Sequence, residues 1–250
     1  MSVRQIGVCT FLLGIAGILN SGTTTAGTVV SVSGKANPFL AGLPNGSTAT
    51  HGDRAPQESP TEVVGLSLTP GDVLHFAATG SVSYNSGNFN GPDGGVVFSR
   101  GAENGIAGYT ITVNALLGVF LGPDRPDLSA APVALDFGTT TAREFLTLSP
   151  MLKQTFFIGD GTTSTNAIQE FVVPSGATRL FLGMADGVEW NNNSGSFSVN
   201  VTETAGSGGG PAPVPEPGSL VLVIVGAVGC IAFCSIRRQG QRRHIAEIPQ

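Results

Sequence analysis

Thiols are scarce in this chain. Its 250 residues hold three cysteines, Cys9, Cys230 and Cys234, and none lies between residues 27 and 211. That interior segment has no disulfide framework, no thiol nucleophile and no zinc–thiolate site. Its stability must come from burial, hydrogen bonds and a metal, if one is held. Basic residues are scarce as well. Residues 27–211 carry seven Lys and Arg against fifteen Asp and Glu. The whole-chain formal charge of −5 understates this, because five arginines sit in the terminal segments. Such a surface is a poor partner for a phosphate backbone, so no nucleic-acid partner is expected. It suits cations or neutral ligands such as sugars.

Catalytic vocabulary is thin too. The three histidines are His51 in a turn-rich stretch, His75 on a predicted strand and His244 in the basic C-terminal tail. His75 reads as a structural histidine. No Gly-x-Ser-x-Gly elbow occurs, and "GPDGG" at 91–95 is too short for a phosphate loop and lacks its Lys. Fifteen acids could supply a carboxylate pair for glycoside hydrolysis, but nothing in the sequence selects one. The expectation is a protein that is not an enzyme. A polysaccharide-acting enzyme ranks third, behind a binding protein and a ligand-free structural or adhesive surface protein.

Long apolar runs are confined to the two ends. Arg4 precedes "IGVCTFLLGIAGIL", and small residues follow in "NSGTTTAG". This is the charged, apolar and small-residue order of a signal peptide over residues 1–26, with cleavage near Ala26. At the other end, residues 205–218 form a Gly/Pro linker. Residues 219–236 then read as a short transmembrane helix, and residues 237–250 as a basic cytoplasmic tail. The predicted topology is single-pass, with the domain outside.

The tail carries a more specific pattern. "VPEPGS", an apolar helix and "RR" follow one another, with Pro215, Glu216 and Pro217 before the helix and Arg237 and Arg238 after it. This resembles the bacterial PEP-CTERM sorting signal. The resemblance implies an exosortase-type sorting enzyme as partner and cleavage near Pro215–Pro217. It also implies membrane anchoring, with release to the cell surface or biofilm matrix after sorting. The two prolines keep the segment extended, as a processing enzyme requires.

Between the ends the pattern is all-β. Residues 27–62 read as an irregular N-terminal arm, rich in turn formers from Lys35 to Pro60. Residues 63–204 read as a β-sandwich of short strands: "VVGLSLTPGDVLHFAATGSVSY", "GYTITVNALLGVFLG", "KQTFFIGD", "QEFVVPSG", "TRLFLGMADG" and "GSFSVNV". Leu74 and Phe76 share one face of their strand, and Phe197, Val199 and Val201 share another. Only Arg143 to Leu148 suggests a helical turn.

The segment "DGVEWNNNSGSFSVNV", Asp186 to Val201, concentrates side-chain oxygens at the mouth of the last strand. Calcium takes six to eight oxygens from carboxylates, amides and carbonyls, and such a loop can supply all three. Asp, Asn and Gly also dominate ordinary turns. The order of "LTPGDVLHFAATGSVSYNSG", "GPDGG", "NALLGVFLG", "FFIGD", "FVVPSGATRLFLGMAD" and "NNSGSFSVNV" resembles the PA-IL-like galactophilic lectins over residues 63–201. The resemblance implies a jelly-roll or galactose-binding-like sandwich and a calcium ion. That ion would be held by the backbone carbonyls of Tyr84 and Glu189 and by the side chains of Asp186, Asn192 and Asn193. It also implies carbohydrate binding through Tyr84, Asp186 and Asn193, with Trp190 offering an apolar face or packing within the loop. Exopolysaccharide is the natural partner class. The chain departs from the lectins at two points. Its loop from Asp186 to Asn192 is one residue shorter. In addition, "GPDGGVVFSRGAENG" carries neither the His nor the Gln with which the family grips galactose. Galactose preference is therefore not implied.

Overall fold

The structure is a computed structural model and describes residues 27–206. The signal peptide, the transmembrane helix, the sorting motif Pro215–Pro217 and the arginines Arg237 and Arg238 lie outside the described residues. Among the described residues no helix is long and apolar enough to cross a membrane.

The described chain is built of short strands joined by turns and loops, with almost no helix. In order it forms β1 Thr28–Ser33, β2 Thr61–Glu62, β3 Val73–Ser83, β4 Val97–Arg100, β5 Tyr109–Thr112 and β6 Leu116–Leu121. It continues with β7 Leu135–Asp136, β8 Thr147–Leu148, β9 Thr155–Phe157, β10 Glu170–Val172, β11 Arg179–Met184 and β12 Ser194–Thr204. The one α-helical turn, α1, is Thr140–Arg143, capped by the Thr139 hydroxyl. It falls just before the predicted Arg143–Leu148 turn, whose end is taken by β8 instead.

Three sheets result. The largest has the order β1-β12-β3-β10-β8, the second β2-β11-β6-β9 and the smallest β4-β5-β7. Pairing is antiparallel except for β10 with β8 and β5 with β7. The two larger sheets meet through a chain of rings. Phe76 on β3 meets Phe171 on β10 edge to face at 5.0 Å, Phe171 meets Phe156 on β9 at 5.6 Å, and Phe156 stacks on Phe120 of β6 at 5.3 Å. Each such pair adds about 0.5–1.5 kcal/mol beyond the area it buries. The contact is the face-to-face packing of two sheets around one core.

Burial follows the alternation of the sequence. Leu74, Phe76 and Ala78 of β3 are buried while Val73, His75 and Ala77 are not. On β12, Phe197, Val199 and Val201 are buried, and Ser196 and Ser198 are exposed. β6 is buried at every residue, so this strand is covered on both faces, which explains why "LLGVFL" does not alternate.

Two expectations are corrected. Residues 27–62 are not wholly irregular: β1 pairs with β12 along six residues, Thr28 with Val201 through Ser33 with Ser196. "TVVSVS" is β-branched and alternating, so it extends the sheet as an edge strand. Lys35–Pro60 does lack regular strands, holding two 3₁₀ turns and a single bridge between Thr48 and Arg54. Conversely, "VVGLSL" is not a strand. The Ser67 and Leu68 backbone N–H groups donate to the Glu203 carboxylate at 2.8 and 2.7 Å, and Leu68 takes a positive φ of 49°. A side-chain acceptor thus replaces the ladder there.

Candidate functional site

Strand register places the site. β3 and β12 run antiparallel, with Ser83 opposite Ser194. Tyr84, one residue past β3, and Asn193, one residue before β12, are therefore at the same end of the sheet. The loop from Asp186 to Asn193 connects β11 to β12 across that end. Gly195 fixes how β12 begins: its φ is +83°, and a Cβ there would stand 2.3 Å from the Ser81 carbonyl oxygen. Only glycine tolerates both conditions.

The loop turns on Glu189, which adopts the left-handed conformation (φ 62°, ψ 60°) and caps a 3₁₀ turn, Trp190–Asn192. Asn193 closes that turn by donating its N–H to the Trp190 carbonyl at 3.1 Å. Asn193 is buried. Its Nδ2 donates to Asp186 Oδ2 at 2.9 Å and to the Gly34 carbonyl at 3.0 Å. Its Oδ1 is buried with no hydrogen-bond partner. Buried amide oxygens are nearly always satisfied, so an orphan marks a position that a cation or water can fill.

Asp186 is buried as well, only 3 % exposed. Burial pushes its carboxyl above the usual range, while the hydrogen bonds from Asn193 and from backbone N–H groups pull it back. Its backbone carbonyl accepts the Tyr109 hydroxyl at 3.0 Å. Burial of Tyr109 drives that hydroxyl's pKa strongly upward, so it remains a donor.

Trp190 is not where the sugar-stacking expectation put it. It is fully buried, donates its indole N–H to the Met184 carbonyl at 2.9 Å and meets Phe39 edge-on at 6.1 Å. No face is left for a sugar ring, and Trp190 is a core residue. Of the two readings open for this side chain, packing within the loop is the one realised. The reason lies in two residues the sequence did not point to. Asp53, buried in the N-terminal arm, accepts from the Trp190 N–H at 3.0 Å, the Asn191 N–H at 3.1 Å and Asn37 Nδ2 at 3.0 Å. Arg100 lies 5.4 Å over the Phe39 ring and 5.6 Å from the Trp190 ring, pairs with Glu103 at 2.6 Å and donates to the Gly187 carbonyl. Together they clamp the back of the loop to the core.

The front of the loop is open. Tyr84, Asp186, Glu189 and Asn192 line one cavity of about 480 Å³, together with Asn85, Gly187 and an apolar wall of Val96, Val97, Phe98, Val113 and Val188. Four of the five predicted calcium-site residues thus line a common cavity, and the fifth, Asn193, is hydrogen-bonded to Asp186. Asn192 is exposed. Its Nδ2 donates to Glu189 Oε2 at 3.3 Å, and its backbone carbonyl accepts the Ser86 hydroxyl at 3.2 Å. The Glu189 carbonyl accepts the Asn192 N–H at 3.3 Å and keeps its second lone pair. Oxygens offered here are the Asp186 carboxylate, the Asn192 and Asn193 amides and the two backbone carbonyls, which is hard-donor chemistry of the kind calcium takes. Among the described residues no three His, Cys, Asp or Glu side chains cluster to hold a metal, so any ion here depends on amide and backbone oxygens.

A second, polar cavity of about 320 Å³ brings together Asp93, Asp160, Arg143 and Glu144. Its groups are spent on one another. Asp93 accepts the Asp160 N–H at 3.1 Å, Asp160 accepts Thr162, Glu144 accepts Ser164, and Arg143 donates to the Phe137 carbonyl at 2.6 Å. The carboxylates gathered here are engaged by backbone and hydroxyl donors that hold the loops together. His75, the strand histidine, stands 4.0 Å from Glu170 on the sheet surface.

No protein-family model matches the chain, and no curated protein matches it. Among solved structures it is similar to one described as "EclA N-terminal domain; PllA-like lectin", at 18% identity and a TM-score of 0.33, covering 72% of this chain and 97% of that one.

Proposed function

We propose that residues 27–206 form a lectin-like, calcium-dependent carbohydrate-binding domain that recognises its ligand reversibly and turns nothing over. The observation that carries this reading is the cavity shared by Tyr84, Asp186, Glu189 and Asn192, with Asp186 bonded to Asn193, whose buried Oδ1 has no partner. Asp186 supplies the carboxylate, Asn192 and Asn193 supply amide oxygens, and Tyr84 and Glu189 supply carbonyls. When bound, calcium would add a positive centre to which vicinal sugar hydroxyls can attach. Asp186 and Asn193 also orient those hydroxyls by hydrogen bonds. The Asp53 and Arg100 clamp keeps the loop in one conformation, which lowers the ordering cost of binding.

The test is the melting temperature of residues 27–206 in calcium and in chelator. A ligand bound only by the native state adds about 2.7 kcal/mol at one hundred times its dissociation constant. The expected result is a calcium-dependent rise that Asn193→Ala abolishes, followed by glycan binding that needs calcium. No rise in the wild-type domain sinks the metal reading. A second reading, a structural surface protein without ligand, draws on one observation: Asp186 and Asn193 already bond each other at 2.9 Å. That reading requires a calcium-independent melting temperature.

For the full chain we propose export by the N-terminal signal, single-pass anchoring by residues 219–236, and sorting at Pro215–Pro217 by an exosortase-type enzyme to the cell surface or matrix. Glu216→Ala should leave the protein in the membrane fraction with its tail intact. Release of the Glu216→Ala variant to the same extent as wild type would overturn the sorting role.

A further inference from the structure

The cavity is chemically divided. Its polar half is made of Asp186, Glu189, Asn192 and Asn85, and its apolar half of Val96, Val97, Phe98, Val113 and Val188. Val96 is 79% exposed and Val97 and Val188 are each 41% exposed. Grouped at one cavity mouth, such exposed valines form an apolar patch of the kind that marks a ligand-binding groove. They are also held firmly. The Val113 N–H donates to the Val96 carbonyl at 2.9 Å, the Gly95 N–H donates to the Val113 carbonyl at 2.8 Å, and Val97 pairs with Thr112 in the β4–β5 ladder. Phe98 is fixed edge-on against Tyr109 at 5.8 Å. β-Branched side chains on a fixed backbone present their methyl groups in a nearly fixed direction. The charged lining residues are Asp186 and Glu189, both acids. The nearby Arg100 guanidinium is spent on Gly187 and Glu103. An anionic ligand is therefore disfavoured, and so is a ring whose hydroxyls would be stripped of water against the valines.

Resting on the carbohydrate reading of this site, we propose that the valine wall selects a neutral sugar carrying a methyl group, as a deoxy or O-methyl substituent, on the side that faces Val96 and Val97. The polar half holds two hydroxyls of the ring and the apolar half covers the methyl. Sugar identity is then decided chiefly by Val96 and Val97, on β4 and the turn before it, with Val188 completing the wall, while the polar residues of the loop supply affinity common to many sugars.

The experiment compares, in calcium, pairs of free sugars that differ by one substituent: a hexose, its 6-deoxy form and its O-methyl ethers. Binding is measured by calorimetry, and saturation-transfer NMR reports which sugar protons touch the protein. One methyl-bearing sugar should bind about three- to tenfold tighter than its parent, in keeping with burial of a single methyl group, and its methyl protons should receive the strongest transfer. Val96→Ser and Val97→Ser alter exposed side chains, so the fold is kept. They should erase the preference, so that within each variant the methyl-bearing sugar binds no tighter than its parent. Equal affinity within every pair, or a preference that survives both variants, overturns the methyl selection but leaves the carbohydrate reading intact. No binding of any sugar by wild type in calcium overturns both.

Discussion

The loop from Asp186 to Asn193 has two halves that solve opposite problems. Its back half is pinned. Trp190 is fully buried, and Asp53 takes three N–H donors, two of them from the loop backbone. Its front half is poised. Asp186 is buried with its carboxyl raised by desolvation, and the Oδ1 of Asn193 has no partner. Two buried aspartates under one loop thus differ in what they lack. Asp53 is satisfied by neutral donors already present. For Asp186, burial outweighs the donors from Asn193, Gly187 and Val188 and raises the carboxyl. Buried polar groups that are fully bonded hold structure, and those left short are where a ligand has work to do.

Substitution should separate the halves. The largest effect is expected for Trp190→Ala, a loss of about 3–5 kcal/mol in urea unfolding, equal with and without calcium. Asp53→Ala should follow, at about 2–4 kcal/mol, because it leaves three N–H donors unpaired. If either loss vanishes on adding calcium, the back half is part of the ion site and the division fails. Asp186→Asn keeps the shape and removes the buried charge. In chelator it should change stability by less than about 1 kcal/mol or raise it, and in calcium it should abolish the thermal shift. A loss as large as that of Asp53→Ala, measured in chelator, would make Asp186 a structural residue of the same kind.

Acid provides a subtler test. Asp186 has a folded pKa above its unfolded value, so the folded state binds more protons between the two. Its contribution to stability is greatest below the ordinary carboxylate pKa and is lost as pH rises through the raised folded value. Asp93 has the same sign, because burial and then Asp160 raise it. Asp186→Asn should therefore remove only part of that pH dependence in chelator, and calcium should reverse the sign of the part it removes. The smallest stability change belongs to Asn192→Ala, within about 0.5 kcal/mol because the side chain is exposed. Calcium affinity should nonetheless fall, as read by titration of the melting temperature.

Much of this was written in local chemistry. Alternation in "VLHFAATGSVS" and "SGSFSVNV" is enough to place β3 and β12 and to name their buried faces, since a period of two leaves one choice of side. The absence of cysteine and the excess of acid in residues 27–211 exclude thiol chemistry and nucleic acid without a structure. Composition pointed to Asp186, Asn192 and Asn193, and the resemblance to the PA-IL-like lectins added Tyr84 and Glu189; the β3–β12 register and the loop 186–193 bring these residues to one end of the sheet. What tertiary structure alone decided are the long-range partners. Asp53 meets Trp190 from 137 residues away, and Glu203 turns Leu68 out of a strand from 135 residues away. Composition also cannot say whether an aromatic residue in a polar loop faces water or the core. Trp190 faces the core because a remote carboxylate, Asp53, accepts its backbone N–H, and the Arg100 guanidinium lies against its ring. Both are contacts that only folding creates.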